Sequence, residues 1–428
     1  MRSGSKLLPL LAGVLLLGIA DSMIGPYLVL FGTGEAGLSP FRVGVFLSLI
    51  AVSGLAVSTW LGRRYDRSAS RWPALVAVTA PALGYLALAG TTSYALLLLI
   101  AVGLLGGGLA AFPQLFSLAR THLTRTGGDA DRRGTPVLRS VWSMAWAIGP
   151  LLGAAVLSWR GYDALMMLTA LAFALVALPL LLLGRTPLPH RAATPDNGDG
   201  RTATPDNADA RAATPDTGDG RAATPDASDG RVTRAMLVAA ASFTLFHTAM
   251  LAGSVALPLF VTRTLERSDG DVGLLFSVCA LVEIPAALGL LLVPARVSRR
   301  GLILAGMVLF TAYFALVAIG SGMPLLIGTQ VARGVALAVV GALGITYMQE
   351  LLPQATGRAT TMFANTLTIG SLVSGVLAGA TAQAVGYRAT LLLCGLLAAV
   401  GCVLFAAARP RPAGALATPE VSPQPAGR

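Results

Sequence analysis

The chain has 428 residues, of which 55% are hydrophobic and only 12% are charged. A soluble domain is roughly a quarter charged, so this composition excludes an ordinary soluble enzyme and indicates a polytopic membrane protein. The net charge of +11 does not indicate nucleic-acid binding, because the arginines lie in loops between apolar runs, where the positive-inside rule places them. Cys279, Cys394 and Cys402 lie inside apolar runs, so neither a disulfide framework nor a metal site is predicted.

Twelve apolar runs divide into two sets of six. A run of about 20 apolar residues crosses a bilayer as a helix, because a helix satisfies its own backbone where no water is present. The sequence therefore predicts an all-α membrane protein with twelve transmembrane helices in two six-helix halves. The predicted spans are 7–31, 41–61, 73–90, 94–119, 137–158, 162–184, 235–261, 271–294, 301–320, 323–349, 359–382 and 388–408.

The first run is similar to a cleavable signal peptide, since a charged N-terminal stretch precedes an apolar segment that contains Gly18 and Ala20. The apolar character resumes after Asp21 and continues to Phe31. Removal of this segment would leave eleven spans and break the charge pattern, so we expect an uncleaved first helix.

The distribution of arginine predicts the topology of the chain. Basic residues concentrate on one side of the predicted spans: Arg2, Lys6, Arg63, Arg64, Arg67, Arg71, Arg125, Arg132, Arg133, Arg296, Arg299, Arg300, Arg409, Arg411 and Arg428. The opposite loops offer little beyond Arg160, Arg263, Arg267 and Arg388. We therefore expect both termini and the central linker on the cytoplasmic side of the plasma membrane.

Residues 185–234 form a linker between an N-terminal bundle (1–184) and a C-terminal bundle (235–408), which a tail (409–428) follows. From Arg191 a ten-residue unit of the type RAATPDNGDG occurs four times. Its Pro, Asp, Gly and Thr cannot bury enough apolar surface to offset the entropy of ordering, so the linker is predicted to be a disordered cytoplasmic tether. The alternative is that the linker binds a partner, or that it is phosphorylated at Thr194, Thr204, Thr214 and Thr224.

Polar residues within the spans are functional candidates, because a charge at the bilayer centre costs about 2.5–3.5 kcal/mol. Four of them lie on the first, fourth, seventh and tenth spans and would reach a central cavity if those spans line it: Asp21, Gln114, His247 and Arg333. Four more lie on the fifth, eighth, tenth and eleventh spans: Arg139, Glu283, Gln330 and Asn365.

Each candidate also has a structural interpretation. Asp21 and Glu283 are either proton-coupling or substrate-binding carboxylates, or acids paired within their own bundle. Arg139 lies near the predicted cytoplasmic surface and would either contact substrate or extend to that surface. His247 titrates near neutral pH, but a lone histidine in a helix is more often a satisfied packing residue.

Trp142 and Trp146 stand four residues apart on one face of the fifth span. This spacing predicts either an aromatic platform for a sugar ring or packing against lipid and neighbouring helices.

The loop after the second span reads GRRYDRSASR (62–71). It resembles the signature G-x-x-x-D-R/K-x-G-R-R/K between helices two and three of the major facilitator superfamily, from which it departs at positions 69–70. The resemblance implies the major facilitator fold and an electrostatic latch on the cytoplasmic side. The latch residues that it implies are Gly62, Asp66, Arg67 and Arg71.

Further segments resemble the bacterial sugar efflux transporter family: PQLFSLAR (113–120), LRSVWSMAWAIGP (138–150), VEIPA (282–286) and the stretch from MQELLP to GRATTMFANT (348–366). They fall in both halves but not in the linker or the tail. The resemblance implies export of sugars, glycosides or similar solutes in exchange for protons, by alternating access about a site between the halves. Matching family positions are Arg139, Trp146, Glu283, Gln330 and Asn365, whereas Asp21 and His247 have no clear match.

The sequence thus predicts a proton-coupled exporter with Glu283 as the leading coupling carboxylate and Asp21 as the second. The substrate-binding candidates are Gln330, Asn365, Arg139, Trp146, Arg333, His247 and Gln114. The predicted partners of the protein are a sugar-like solute, protons and the lipid bilayer. We expect no cofactor, metal or nucleic acid, and a monomer would suffice for transport.

Three alternatives remain open. A wide apolar cavity would favour export of drugs or a secondary metabolite. A membrane-embedded enzyme is disfavoured because the sequence has no zinc motif, nucleophile elbow or P-loop. A transport-dead sensor would signal through the linker and fall silent without it, whereas a transporter would keep its flux.

Overall fold

The computed structural model describes residues 4–68, 70–126, 129–182, 233–294 and 296–408, and these residues form helices without strands. The predicted repeats with their four threonines and the predicted tail lie outside the described residues. The helices are α1 (Gly4–Thr33), α2 (Pro40–Ser68), α3 (Trp72–Leu88), α4 (Tyr94–Ile100), α5 (Gly106–Thr126), α6 (Asp129–Leu182), α7 (Arg234–Leu259), α8 (Asp269–Gly289), α9 (Arg299–Ile319), α10 (Met323–Leu351) and α11 (Thr356–Ala407).

Twelve spanning segments follow from these helices. Nine helical stretches in the described part of the chain are long and apolar enough to cross a membrane, and α3 is a shorter apolar helix. Two of the nine, α6 and α11, reverse direction at Gly161 (φ 78°) and Gly386 (φ 83°). A positive φ is open to glycine without a steric penalty, so each of these helices is two arms joined at one residue. The turns fall between the predicted fifth and sixth and the predicted eleventh and twelfth spans.

The fourth predicted span contains a feature that the apolar pattern does not show. A π-helical turn, Ala101–Leu105, joins α4 to α5. The hydroxyl of Ser53 on α2 donates to the Ala101 carbonyl at 3.0 Å, and a side chain at Gly106 would collide with that hydroxyl. The widened turn is therefore stabilised by close contact between α2 and the fourth span.

Hydroxyl side chains begin three helices of the second half. Thr233, Ser268 and Ser298 accept hydrogen bonds from backbone N–H groups in the first turns of α7, α8 and α9. Each bond satisfies a donor that has no partner within the helix, so the sequence fixes where these helices start.

The helices form two bundles, α1–α6 and α7–α11. In the first, the rings of Tyr85 and Phe173 stack with centroids 5.7 Å apart. In the second, Phe310 contacts Phe246 at 4.6 Å and Phe314 at 5.0 Å. Each half therefore has its own aromatic core.

Two arginines at equivalent positions cap the last helix of each half. Arg71, before α3, donates to the Leu181 carbonyl near the end of α6 at 2.9 Å. Arg300, at the start of α9, donates to the carbonyls of Phe405 and Ala406 at 3.0 and 2.8 Å. Carbonyls in the last helical turn have no helical partner and carry the negative end of the helix dipole. Each guanidinium therefore stabilises the end of its half.

We call this end of the molecule the linker side, because α6 ends and α7 begins there, and the opposite end the far side. The halves contact each other on the far side through α2 and α11. There Gly44 and Ser48 lie against Gly375 and Gly379 at backbone contact distance, and the Ser48 hydroxyl accepts from the Val376 N–H at 3.0 Å. Only residues with little or no side chain permit such an approach of two helices.

A second far-side contact joins α1 and α6 to α8. The Tyr27 hydroxyl donates to the Pro150 carbonyl at 2.7 Å and lies 3.5 Å from the Asp269 carbonyl. The described structure thus has its halves closed together on the far side.

Candidate functional site

The first arm of α6 and helix α8 run side by side across the boundary between the halves. Near the far side they pack closely, since a Cβ at Gly273 would lie 2.7 Å from the Pro150 carbonyl and 2.9 Å from Ala154. Trp146 and Arg139 continue the same face of α6 towards the linker side, because steps of four and seven residues return to one side of a helix. Both are exposed, Trp146 to 37%. The two helices therefore diverge, and a space opens between the halves towards the linker side.

Trp146 ends a row of aromatic rings on α5 and α6. The ring centroids of Phe116 and Phe112 are 4.3 Å apart, those of Phe112 and Trp142 are 4.6 Å apart, and those of Trp142 and Trp146 are 6.2 Å apart. The row holds the exposed ring of Trp146 against a packed neighbour. A sugar ring could stack on such a surface, although this role of the tryptophans stays a prediction.

Arg333 is a cation buried in the second half, with only 5% of its surface exposed. It donates to the Ser254 hydroxyl at 2.7 Å and to the Gln330 side-chain carbonyl at 3.4 Å. Its guanidinium carbon lies 5.0 Å from the ring centroid of Phe276 and 5.8 Å from that of Tyr313. These partners fix the guanidinium in place but do not neutralise it, and a buried charge needs a compensating one.

Glu283 on α8 is an acid within electrostatic reach of Arg333. The charges of Arg333 and Arg139 both act on its carboxylate. Arg139 belongs to the first half and Arg333 to the second, so Glu283 lies within electrostatic reach of one predicted site residue from each half. The Glu283 side chain is exposed.

The other predicted residues have different surroundings. The charge of Asp21 acts on the Tyr85 hydroxyl of α3, which places Asp21 inside the first half. Gln114 is 4% exposed, and its side-chain oxygen has no hydrogen-bond partner among the described residues. Asn365 is exposed on α11. Their functional roles stay predictions.

His247 is buried between aromatic rings of the second half. Its Nδ1 lies 2.9 Å from the Thr366 hydroxyl, and its ring meets those of Phe246 and Phe363 edge-on. Within the described structure, no hydrogen bond, ion pair or ring contact joins any two of Asp21, Gln114, His247 and Arg333. The shared cavity predicted for their four spans is therefore not defined by direct contacts between them.

Three residues that hold Arg333 were not predicted from the sequence: Ser254, Phe276 and Tyr313. A tyrosine hydroxyl in the middle of the apolar ninth span was the available signal, because a buried hydroxyl needs a partner. Ser254 and Phe276 gave no signal that distinguishes them from packing residues.

The predicted latch lies at the linker side. Gly62, Asp66 and Arg67 belong to the last turns of α2, where Asp66 and Arg67 are exposed, and Arg71 caps α6 as described above. In the second half, Arg299 forms an ion pair with Glu350 at the end of α10. The acid partner of Arg299 therefore comes from another helix, and the role of Asp66 stays a prediction.

The profile of the Major Facilitator Superfamily matches residues 237–426. A Deinococcus radiodurans protein classed with the sugar efflux transporters is 42% identical over 407 residues, covering 94% of this chain and 98% of that protein. The chain belongs to the sugar efflux transporters of the major facilitator superfamily. Membership in this family makes it a membrane transporter and not an enzyme.

Other members of the family align over most of the chain. Sugar efflux transporter A of Dickeya chrysanthemi is 30% identical, with 87% of this chain and 88% of that protein covered. Sugar efflux transporter A of Escherichia coli K12 is 28% identical, with 91% and 93% covered.

Solved structures support the fold. The crystal structure of the nucleoside transporter NupG superposes with a TM-score of 0.69 at 16% identity, covering 95% of this chain and 99% of that one. A bacterial homologue of the human lysosomal transporter Spinster, in an inward-facing and occupied conformation, gives a TM-score of 0.68 at 14% identity, covering 94% and 96%. This chain therefore shares its helix arrangement with these transporters.

Proposed function

We propose that this chain exports sugars, glycosides or similar small solutes across the plasma membrane in exchange for protons. The observation that carries the proposal is the presence of an exposed aromatic ring and of charged groups from both halves along the boundary between the halves. Trp146 and Arg139 come from the first half, and Glu283 and Arg333 from the second. Solute sites combine apolar or aromatic surface with a few placed polar groups, and a sugar presents both C–H faces and hydroxyls.

The placement of this space supports transport by alternating access. The halves are closed on the far side and separate towards the linker side, so a solute would enter from the linker side in this conformation. Rocking one half against the other would open the opposite end. Glu283 would bind a proton in one conformation and release it in the other, and Asn365, which is exposed on α11, would offer hydrogen bonds to the solute. Gln330, a predicted substrate-binding residue, is fully buried in this conformation and would hold Arg333 in place.

We place the linker side in the cytoplasm, because basic residues concentrate there. A reporter enzyme that is active only outside the cytoplasm should give signal when fused after Ser93, between α3 and α4, and none after Gly200 or Arg411. The opposite pattern would reverse the proposed topology and with it the direction of transport.

Inverted membrane vesicles test the substrate class. With an acidic interior, they should accumulate labelled sugars or glycosides from a broad panel, and a protonophore should abolish the accumulation. If no sugar is transported while lipophilic cations are, the alternative function, export of drugs or a secondary metabolite, replaces this proposal.

The same assay tests the aromatic surface. Trp146→Ala should raise the KM for the transported sugar about tenfold, the equivalent of one lost stacking contact, with little change in the maximal rate. Trp146→Phe should retain most of the affinity. Trp159→Ala is the matched control, since Trp159 lies near the Gly161 turn and is 75% exposed. Equal effects at Trp146 and Trp159 would show that Trp146 does not contact the solute.

A further inference from the structure

Glu283 lies between one arginine that is fixed and one that belongs to the other half. Arg333 is held by Ser254, Gln330 and two aromatic rings, all from the second half. It therefore moves with Glu283 when the halves rock. Arg139 is exposed on the first half, so its distance from Glu283 changes with the conformation.

In this conformation Arg139 and Glu283 interact across a gap. Among the described residues, no nitrogen of Arg139 lies within 4.0 Å of a carboxylate oxygen of Glu283. The helices that carry them pack tightly near Gly273 and diverge towards the linker side. Closure of the linker side would shorten this gap, and the attraction of opposite charges rises as their distance falls.

We propose that Arg139 and Glu283 form an ion pair when the linker side closes, and that a proton bound at Glu283 prevents this pair. The proposal rests on the proton exchange proposed above. Charge on Glu283 then favours closure of the linker side, and its neutralisation favours the open conformation described here. Arg139 is thus a positioning residue that acts through Glu283.

The ionisable groups around Glu283 are few. Helix α6 offers Arg139 and helix α10 offers Arg333, while Cys279 lies one turn away on α8 itself. Tyr27 of α1 and Arg263, at the end of α7, approach α8 only near its far-side end, at Asp269.

This arrangement gives the order of events that exchange requires. Loss of the proton to the linker side leaves a charged Glu283, and the attraction to Arg139 draws the halves together around a bound solute. After the far side opens and the solute leaves, a proton from that side neutralises Glu283 and the pair separates. The linker side then reopens.

Distances between the halves test the proposal in the purified full chain without solute. Spin labels at Arg63→Cys and Thr361→Cys, exposed positions near the linker-side ends of α2 and α11, would report closure by double electron–electron resonance. The three native cysteines would be replaced by alanine in every protein. In reconstituted wild type, the population with the shorter distance should rise with pH.

Arg139→Gln should lower that short-distance population about tenfold at high pH and flatten its pH dependence, as should Glu283→Gln. Arg139→Lys should retain the dependence, which separates loss of charge from misfolding. The double glutamine variant should be no worse than either single variant, because both remove one interaction.

Two results would overturn the proposal: a wild-type population that does not respond to pH, or an Arg139→Gln variant that keeps the wild-type response. Neither depends on which solute is carried. A failed sugar panel with a normal distance response would therefore reject the substrate class alone.

Discussion

Glu283→Gln is expected to abolish export driven by a pH gradient, with a fall of at least roughly 100-fold in rate, as for the loss of other proton-transferring groups. Glutamine keeps the shape of the side chain and its hydrogen-bonding capacity but cannot release a proton. Binding of the solute and its exchange across the membrane do not require net proton movement, so solute counterflow should persist in the same variant.

Inverted vesicles allow both quantities to be measured on one preparation. Glu266→Gln is the matched control, because Glu266 is exposed in the loop between α7 and α8, and this variant should export at the wild-type rate. Normal pH-driven export by Glu283→Gln would make Glu283 a structural residue. Asp21, the acid inside the first half, would then be the carboxylate to test.

Gly375→Ala should displace the protein from the conformation described here and reduce transport at least about tenfold. A methyl group at this position would lie 2.7 Å from both the Gly44 carbonyl and the Ser48 hydroxyl. The carbonyl belongs to the backbone of α2 and cannot rotate away, so the helices must separate. Overpacking of this kind costs about 1–3 kcal/mol, enough to shift the balance towards a far side that is open.

A cysteine at Ala154, which is 6% exposed in the closed far-side contact of α6 and α8, would report that shift. In a background without native cysteines, a membrane-impermeant maleimide applied from the far side should label it faster when Gly375 is alanine. Gly341→Ala should change neither labelling nor transport, since a methyl group there meets nothing within 4 Å. Unchanged labelling in the Gly375 variant would show that α2 and α11 tolerate separation without opening.

The helical architecture could be predicted from the sequence because spanning helices are determined locally. Hydrophobic length sets each span, and the two reversals at Gly161 and Gly386 fall in the short gaps that the apolar runs leave. The π turn at Ala101–Leu105 could not be predicted in this way, because it depends on Ser53 in a different helix and does not change the apolar pattern.

The site was only partly predictable for the same reason. Arg139, Glu283 and Arg333 stand out individually as charges in apolar spans, but their proximity depends on how two separate halves are placed. His247 illustrates the converse. Its membership of the seventh span suggested a cavity position, whereas the side chain lies against Thr366 of α11, a contact between residues 119 positions apart.

The arginine caps have a consequence for how this chain tolerates change. Arg71 secures the last turn of α6 to the start of α3, immediately before the chain leaves the first bundle. The end of α6 is thus held by the start of α3. A pull on the chain beyond α6 therefore acts on the bundle as a rigid body and does not unwind the end of the helix. We therefore expect that gain or loss of decapeptides in the linker leaves the path of the solute undisturbed.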